Sequence, residues 1–332
     1  MKVLILGSDY NWSIERIYKR ELLEIGHDVL HLPVQNWYYD YYYKSIYHKL
    51  FCRIGLSNIH KTIQERLLAY VNGTKFDLIW VFKGMEIKPN TLIELKRLTN
   101  RLINFNPDNP FVFSGKGSGN RNIIKSLSLY DEHFSYNQSV CKKIELEYGL
   151  KCTWIQFGFD SSVFVKDNDQ EEIKALCFIG NPDSNRIKIL QEVVKKGIPI
   201  HVYGHGWDRY LVHDNLSVHD PVYEDEYYKT LFKYRVQLNI MRPHNLDSHN
   251  MRTMEIGGCG GIMLLPETKD HVIFFEQGKE AFFYSNISDL ISTAENILNL
   301  PYSEVQKIRI AARKKVLSNF TYSKLVLRFI QG

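Results

Sequence analysis

The sequence predicts an α/β protein of two doubly wound domains that face each other across a cleft. Three observations support this fold class. Short apolar runs alternate with amphipathic segments along the chain, which is typical of parallel strands joined by helices. With 332 residues, the chain is long enough for two domains of about 150 residues each. A polar stretch without apolar periodicity, residues 165–174, separates two such series and predicts a linker.

The apolar runs predict six strands before the linker and five after it. The first set is residues 2–7, 28–32, 76–82, 101–105, 131–135 and 152–157. The second set is residues 175–180, 198–204, 236–240, 262–265 and 280–284. The clearest helical periodicities cover residues 13–25, 183–196, 224–234, about 249 to the glycines at 257–261, 286–298, 302–317 and 320–330. We therefore predict domains at residues 1–160 and 172–315, and a final helix within 316–332 that crosses back to the first domain.

The composition narrows the class of protein. The formal net charge of +5 suits anionic ligands or an anionic membrane surface, and we predict no nucleic-acid partner. The five cysteines are scattered without paired spacing, which predicts reduced thiols and a cytoplasmic location. The first apolar run is a strand too short for a signal peptide, and no run reaches the length of a membrane span. The twelve histidines show no metal-ligand spacing, so we predict no metal site.

The motif MRTMEIGGCGGIMLLPET, residues 251–268, combines a helical run with four glycines among residues 257–261. The glycines predict a backbone that turns tightly and leaves room for a bound group. The positive end of the helix suits a diphosphate, and Arg252 would contact its oxygens. Glu255 would accept two hydroxyl groups of a ribose. The alternative is a surface Arg–Glu pair above a glycine turn.

This motif and several others resemble GT-B glycosyltransferases, specifically the CgeB-like (spore maturation protein) branch of the glycosyl transferases of group 1. The resemblance covers Arg-x-x-Glu with its Cys-Gly turn, FFEQGKEAFFYSNISDL and the closing SNFTYSKLVLRF. In the first half it includes NFNPDNP (104–110), YDEHFSYN (130–137) and FGFDSSVF (157–164). One departure is that the arginine of the terminal helix is displaced to Arg328.

The resemblance implies two Rossmann-like domains and the transfer of a sugar from a nucleotide-sugar to a glycan, lipid-linked or protein acceptor. The nucleotide-sugar is a co-substrate, the nucleoside diphosphate is a product, and no metal or other cofactor is needed. Polysaccharide or glycoconjugate biosynthesis would be the setting. Glu255 matches the second glutamate of the Glu-x7-Glu motif of retaining enzymes, whereas Asp247 stands at the first position. Asp247 either contacts the donor sugar or caps the helix. The alternative function is a non-catalytic nucleotide-sugar-binding or transferase-like partner protein.

Other donor-binding candidates lie at predicted strand ends of the second domain. They are Gly180, Arg186, Gly204, Trp207, Tyr223 and Arg242, together with Arg252 and Glu255. Gly180 would let the backbone approach phosphate, which Arg186 and Arg242 would contact. Gly204, Trp207 and Tyr223 would surround the base. For residues 203–207 the alternative is a tight turn with a packed tryptophan, and for Arg186 it is simple solvation.

Catalytic candidates are Asp9, Asp108 and Asp247. Asp9 follows the first strand and would act as a base in an inverting mechanism, whereas Asp108 between asparagine and proline is also typical of a turn. The Asp-x-Asp pattern at 167–169 lies in the predicted linker, so we interpret it as solvated. Residues 36–53 are rich in tyrosine and cations. They predict a sugar-stacking surface or peripheral contact with an anionic membrane at its inner face, or else a helix packed on the sheet.

Overall fold

The fold is described by a computed structural model covering residues 1–112, 119–163, 172–242 and 247–331. In this part of the chain two compact units form, one from Met1–Gln156 with Val326–Gly332 and the other from Phe157–Leu325. The second unit thus begins before the predicted position 172 and extends beyond the predicted position 315. The Asp-x-Asp pattern and most of the predicted linker lie outside the described residues.

The first unit is built on a parallel sheet. Its strands are β1 (Lys2–Leu6), β2 (Asp28–Leu32), β3 (Phe76–Phe82), β4 (Thr99–Asn106), β5 (Glu132–Ser135) and β6 (Cys152–Trp154). They pair in the order β2-β1-β3-β4-β5-β6, with Val3 opposite Leu78. The central strands are continuous apolar runs because helices cover both faces. The order of strands reverses between β1 and β3, which opens a crevice at their carboxyl ends.

Seven helices of the described chain belong to this unit before residue 156. They are α1 (Ile14–Glu24), α2 (Val34–Tyr43), α3 (Ile46–Arg53), α4 (Ile59–Val71), α5 (Pro89–Lys96), α6 (Arg121–Ser126) and α7 (Gln138–Tyr148). In α4, Ile59, Ile63, Leu67 and Val71 recur every fourth residue and are buried in the core. This spacing places them on one helix face, which explains why α4 packs stably on the sheet.

The second unit also contains a parallel sheet. Its strands are β7 (Ile173–Ile179), β8 (Ile200–Tyr203), β9 (Leu216–His219), β10 (Tyr234–Leu238), β11 (Met263–Pro266) and β12 (Phe282–Tyr284). The order is β12-β11-β10-β7-β8-β9, so the crevice lies between β7 and β10. The sequence did not predict β9. It is an edge strand of four residues with two aliphatic side chains, and Val218 is exposed, so it lacks a clear apolar run.

The helices of the second unit include the one predicted within the motif of residues 251–268. They are α8 (Ser184–Lys195), α9 (Glu224–Lys233), α10 (Met251–Cys259), α11 (Lys269–Phe274), α12 (Ile287–Asn299), α13 (Tyr302–Asn319) and α14 (Tyr322–Ile330). α10 continues through Gly257 and Gly258, so the turn lies within the predicted glycine run but not at its first two members. It ends at Gly260, whose φ of +78° forms a left-handed C-cap.

The glycines inside α10 make room for protein. A Cβ on Gly258 would lie 2.4 Å from the ring of Phe159, and one on Gly257 would lie 2.9 Å from Val316 of α13. The prediction that these two glycines leave space for a ligand is therefore wrong. They allow α10 to pack closely against α13 and Phe159, which fixes the position of the preceding helical turns.

The last helix, α14, starts in the second unit and ends in the first. Phe329 is fully buried in the first unit, with its ring 4.2 Å from Trp80 and 4.5 Å from Phe134. Arg101 Nη1 donates to the carbonyl oxygen of Phe329 at 2.6 Å. The end of the chain is therefore part of the core of the first unit.

Candidate functional site

The crevice of the second unit lies where β7 and β10 end. In open parallel sheets, ligands bind outside the carboxyl ends of the strands at the position where the strand order reverses. Gly180 follows β7, and Ile240 follows β10. Arg186, in the first turn of α8, joins the two strand ends because its guanidinium donates to the carbonyl oxygens of Asn181 at 2.9 Å and Ile240 at 3.3 Å. The strand order and the hydrogen bonds of Arg186 therefore place the crevice at the same edge of the sheet, where β7 and β10 end.

A glycine contact shapes the loop after β7. A Cβ on Gly204 would lie 2.5 Å from the carbonyl oxygen of Gly180, so only glycine fits there. Trp207 Nε1 donates to the same oxygen at 2.8 Å. The indole of Trp207 is fully buried and meets the ring of Phe178 edge to face at 5.9 Å. In this geometry Trp207 positions the Gly180 turn, as in the alternative of a tight turn with a packed tryptophan.

Two arginine side chains converge above Phe178. The guanidinium carbons of Arg186 and Arg252 lie 5.2 Å and 5.7 Å from the centre of its ring. Arg252 Nη2 is also 3.5 Å from the position of a Cβ on Gly180, so the arginine extends to the end of β7. Its Nε is buried and has no hydrogen-bond acceptor among the described residues. Arg252 from α10 and Arg186 from α8 thus bring two positive charges to the crevice.

The electrostatics of this pair favour an anion. Burial, together with the positive charges of Arg252 and Arg242, lowers the pKa of Arg186 to about 10, although Asp183 opposes the change. A lowered arginine pKa means that the surroundings disfavour its charge. A bound diphosphate would reverse that balance, because it would supply negative charge and hydrogen-bond acceptors to both guanidinium groups.

Glu255 lies one turn beyond Arg252 in α10 and is half-buried. The hydroxyl of Tyr227, from α9, donates to Glu255 Oε2 at 2.6 Å. Burial raises the pKa of Glu255, although Tyr227 and Arg252 oppose the change. Burial and the neighbouring Glu255 raise the pKa of Tyr227 well above its ordinary value. Arg252 and Glu255, both in the described chain, form no ion pair, so the geometry differs from the alternative of a surface pair.

The residues before α10 hold its first turn in place. Asn250 is the N-cap, and its Oδ1 accepts the N–H of Thr253 at 3.2 Å. The cap of α10 is therefore not Asp247, which removes the capping role considered for that residue. His249 is fully buried and hydrogen-bonds to Asp270 Oδ2 through Nδ1 at 2.7 Å, while its Nε2 accepts the backbone N–H of Phe157 at 3.1 Å. This network fixes the residues next to Arg252.

The remaining candidates of the second unit lie on the loops around the crevice. Tyr223 is exposed and precedes α9, and Arg242 is exposed beyond β10. Asp247 is exposed and precedes α10. Residues 243–246, between the latter two, lie outside the described chain. Arg242 contributes its charge to the arginine pair, as the effect on Arg186 indicates.

Asp9 and Asp108 lie at strand ends of the first unit. Asp9 follows β1 and is half-exposed, with Arg16 Nε and His31 Nδ1 each 3.7 Å from Oδ1. Asp108 follows β4, and its Oδ2 lies 2.8 Å from Lys83 Nζ. Burial disfavours the charge of Lys83, but Asp108 and then Glu15 raise its pKa overall. Asp108 is thus engaged by a cation at the end of β3.

Sequence reasoning missed two buried carboxyl groups near Lys83. Glu15 is buried in α1, and its Oε1 accepts the backbone N–H of Ser8 at 2.9 Å. Glu86 is only 3% exposed, and its Oε2 has no hydrogen-bond partner within the described ranges. Burial, with a smaller contribution from Glu15, raises the pKa of Glu86 to about 7, although a backbone hydrogen bond and Lys83 oppose the change. A polar side chain shortly after a strand end was the sequence signal for Glu86, whereas nothing in the pattern distinguished Glu15 from a surface residue.

Glu86→Gln is expected to remove a pH-dependent loss of stability. The folded pKa is above the ordinary 4.5, so the protonated form stabilises the fold at acidic pH, and this contribution disappears as pH rises toward about 7. Glutamine mimics the neutral acid, so the variant should gain about 3 kcal/mol over the parent at about pH 8 and almost nothing at about pH 4. Thermal unfolding at both pH values measures this. An equal difference between variant and parent at the two pH values would contradict the assignment.

The described residues contain no group of three or more His, Cys, Asp and Glu side chains arranged to hold a metal ion. Their helices include none with both the length and the apolar character needed to cross a membrane.

Part of the chain matches the model of a known protein family. Residues 186–331, which include both arginines and Glu255, match the family model described as glycosyl transferase-like. No curated protein sequence matches the chain. The family description does not name the CgeB-like branch, so that finer assignment stays a prediction.

Similar solved structures extend over the whole chain. Sucrose-phosphate synthase from Thermosynechococcus elongatus is 11% identical with a TM-score of 0.72, covering 100% of this chain and 98% of that one. Anabaena HepE, solved in complex with UDP and glucose, is 10% identical with a TM-score of 0.67 and the same coverage. AviGT4, a glycosyltransferase involved in avilamycin A biosynthesis, is 12% identical with a TM-score of 0.62, covering 100% and 96%. The chain therefore has the GT-B fold.

Proposed function

We propose that this protein is a glycosyltransferase that moves a sugar from a nucleotide-sugar to a glycan, lipid-linked or protein acceptor. The observation that carries the proposal is the convergence of Arg186 and Arg252 above Phe178, at the crevice where ligands bind in this class of sheet. Arg186 Nε lies 3.3 Å from Asp183 Oδ2, so one carboxylate faces the two guanidinium groups. The remaining positive charge suits a diphosphate. The complexes of HepE with UDP and with UDP-glucose support this choice of ligand class.

The contacts of the second unit suggest how the donor is held. The diphosphate would lie between Arg186 and Arg252 and approach the backbone at Gly180, which has no side chain to obstruct it. Glu255 would accept ribose hydroxyl groups, because its hydrogen bond with Tyr227 uses only Oε2. Tyr227 would then hold the Glu255 carboxylate in a fixed orientation. Gly204 and Trp207 would maintain the turn at Gly180 rather than touch the base.

The same contacts suggest the chemistry of transfer. The bond that breaks joins the sugar to the diphosphate, so negative charge develops on the leaving oxygen. The two arginines would stabilise that charge, and transfer would need neither a metal ion nor another cofactor. We assign a retaining outcome from the spacing of Asp247 and Glu255, with Asp247 toward the donor sugar. Asp9 and Asp108 are the candidate bases for an inverting outcome.

The finer assignments belong to the same proposal. The protein would act in the cytoplasm at the inner face of a membrane, in polysaccharide or glycoconjugate biosynthesis, and would belong to the CgeB-like branch. Contact with an anionic membrane would involve the segment 36–53. Neither nucleic acid nor a metal would be a partner.

A panel of UDP-, GDP-, dTDP- and CMP-sugars tests the proposal. A donor that binds the folded state raises the melting temperature by mass action, by an amount that grows with ligand concentration, and one nucleotide should stand out from the others. Slow hydrolysis of that donor, followed by release of the nucleoside diphosphate, should accompany binding. Binding without release of product would indicate the alternative, a non-catalytic binding protein. No shift with any member of the panel would contradict the proposed donor site.

A further inference from the structure

The helix α3 presents apolar side chains to solvent. None of its eight residues, all of them described, is buried. Ile46, Tyr47, Leu50, Phe51 and the adjoining Ile54 are between 43% and 76% exposed. Scattered exposed apolar residues are ordinary, but several on one short helix form a contiguous patch that usually marks an interaction surface.

The exposed apolar residues of α3 share one side of the helix. At 3.6 residues per turn, these five residues cover an arc of about 140° around the helix axis. Lys49 and Arg53 border this arc on one side. His48 and Cys52 lie opposite, where the ring of His48 meets Tyr41 of α2 at 4.6 Å. The helix therefore contacts the protein with its His48 side and turns its apolar side outward.

The charge carried by the chain segment around α3 has one sign. Between Asp40 and Glu65 the chain has no acidic residue, whereas it has four Lys and Arg residues. Lys49 also lies 4.8 Å from the ring centre of Tyr43, at the edge of the patch. An apolar helix face bordered by cations is suited to the interface of a bilayer, where acyl chains meet anionic headgroups.

The tyrosine-rich helix α2 has a different role. Trp37, Tyr38 and Tyr41 pack against the core of the first unit. The guanidinium of Arg66, from α4, lies 4.1 Å from the ring centre of Trp37. The packed-helix alternative considered for residues 36–53 thus describes most of α2, and the outward-facing apolar surface begins only at Tyr43.

We propose that α3, together with Ile54 and with Leu56, which is 74% exposed, docks on the surface of an anionic bilayer, with Lys49 and Arg53 at the headgroups. A second copy of this chain is a poorer occupant, because a self-complementary contact would bring cationic surfaces together. The docking depends on no step of the proposed glycosyl transfer. It would hold the first unit at the membrane whether or not a sugar nucleotide is bound.

Sedimentation of the full chain with lipid vesicles tests the docking. The parent protein should bind vesicles of phosphatidylcholine with phosphatidylglycerol at low salt, bind pure phosphatidylcholine weakly, and dissociate at high salt. Lys49→Gln with Arg53→Gln should lower the partition coefficient about 25-fold, from about fivefold for each cation. Ile46→Ser with Leu50→Ser should lower it about tenfold or more, because apolar area is lost.

Leu146→Ser is the matched control, because Leu146 is an exposed apolar residue of α7 in the same unit, and it should bind vesicles like the parent. Unchanged melting temperatures would show that all variants are folded. Binding of each variant to the donor panel tests the proposed function separately from vesicle binding. Equal binding to neutral and anionic vesicles, or no binding, would overturn the proposal. So would a parent dimer in solution that Leu50→Ser converts to a monomer.

Discussion

Arg252→Ala is expected to weaken the binding of a nucleoside diphosphate about a hundredfold, equivalent to about 3 kcal/mol. A diphosphate between Arg186 and Arg252 would lose one of its two charged partners in a partly desolvated site. The unliganded protein should keep its stability within about 1 kcal/mol, since the substitution also removes the like charge beside Arg186. Titration calorimetry with the best nucleotide of the donor panel, and thermal unfolding without ligand, measure the two effects.

The controls separate phosphate contact from structural support. Lys188→Ala removes one positive charge from an exposed position on the same helix as Arg186, and it should bind the nucleotide like the parent. Arg252→Ala should lose far less affinity for the nucleoside than for its diphosphate, whereas Glu255→Ala should weaken both. If Arg252→Ala binds the diphosphate as tightly as the parent, or mainly lowers the stability of the unliganded protein, the arginine is not a phosphate ligand.

Gly258→Ala is expected to destabilise the second unit by about 3 kcal/mol, a shift of about 6 °C or more in melting temperature. Its new Cβ would lie 2.4 Å from the ring of Phe159, a rigid group that is itself buried. Alanine has a higher helix propensity than glycine, which would stabilise the helix interior by about 1 kcal/mol. This gain cannot offset the overlap with Phe159. Thermal or denaturant unfolding without ligand measures the loss.

Gly257→Ala is the matched control, because it gains the same helix propensity in the same helix. Its Cβ would lie 2.9 Å from Cγ2 of Val316, a stiff branched side chain, and 3.1 Å from the end of Met263, which moves easily. The loss should therefore be clearly smaller than that of Gly258→Ala, about 1 kcal/mol. Equal losses for the two variants would contradict the packing explanation. A loss of donor binding at unchanged stability would restore the view that these glycines face the ligand.

Much of the fold follows from sequence periodicity. Parallel strands covered on both faces are uninterrupted apolar runs, which is why FDLIWVF predicts the observed β3 (Phe76–Phe82) without error at either end. The strand β9 escaped prediction because an edge strand needs few apolar residues. The role of Gly257 and Gly258 was misinterpreted because glycine was treated as a local helix breaker, whereas α10 ends only at Gly260. The contact that favours Gly258 comes from Phe159, which is distant in sequence and invisible to local reasoning.

The candidate site was predictable in part. Gly180, directly after β7, and Arg186, in the first turn of the next helix, could be predicted from the rule that parallel strands present their carboxyl ends at one edge. Spacing also identified Arg252 and Glu255 as neighbours on one helix. It did not identify Tyr227, because its hydrogen bond to Glu255 depends on how α9 packs beside α10. Nor did it distinguish Trp207 as a buried support, since exposure is decided by tertiary packing.

The position of Phe329 near the end of the chain determines when the first unit can finish folding during synthesis. Strands β1 to β6 leave the ribosome before any residue of the second unit, yet the aromatic core beside Trp80 lacks the Phe329 ring until α14 has been made. Such distant contacts slow folding, because a long loop must close before they form. The nascent first unit therefore exposes an unfilled apolar site while more than a hundred and sixty residues are still being added, between Gln156 and Val326. Chaperone binding should be strongest during that interval.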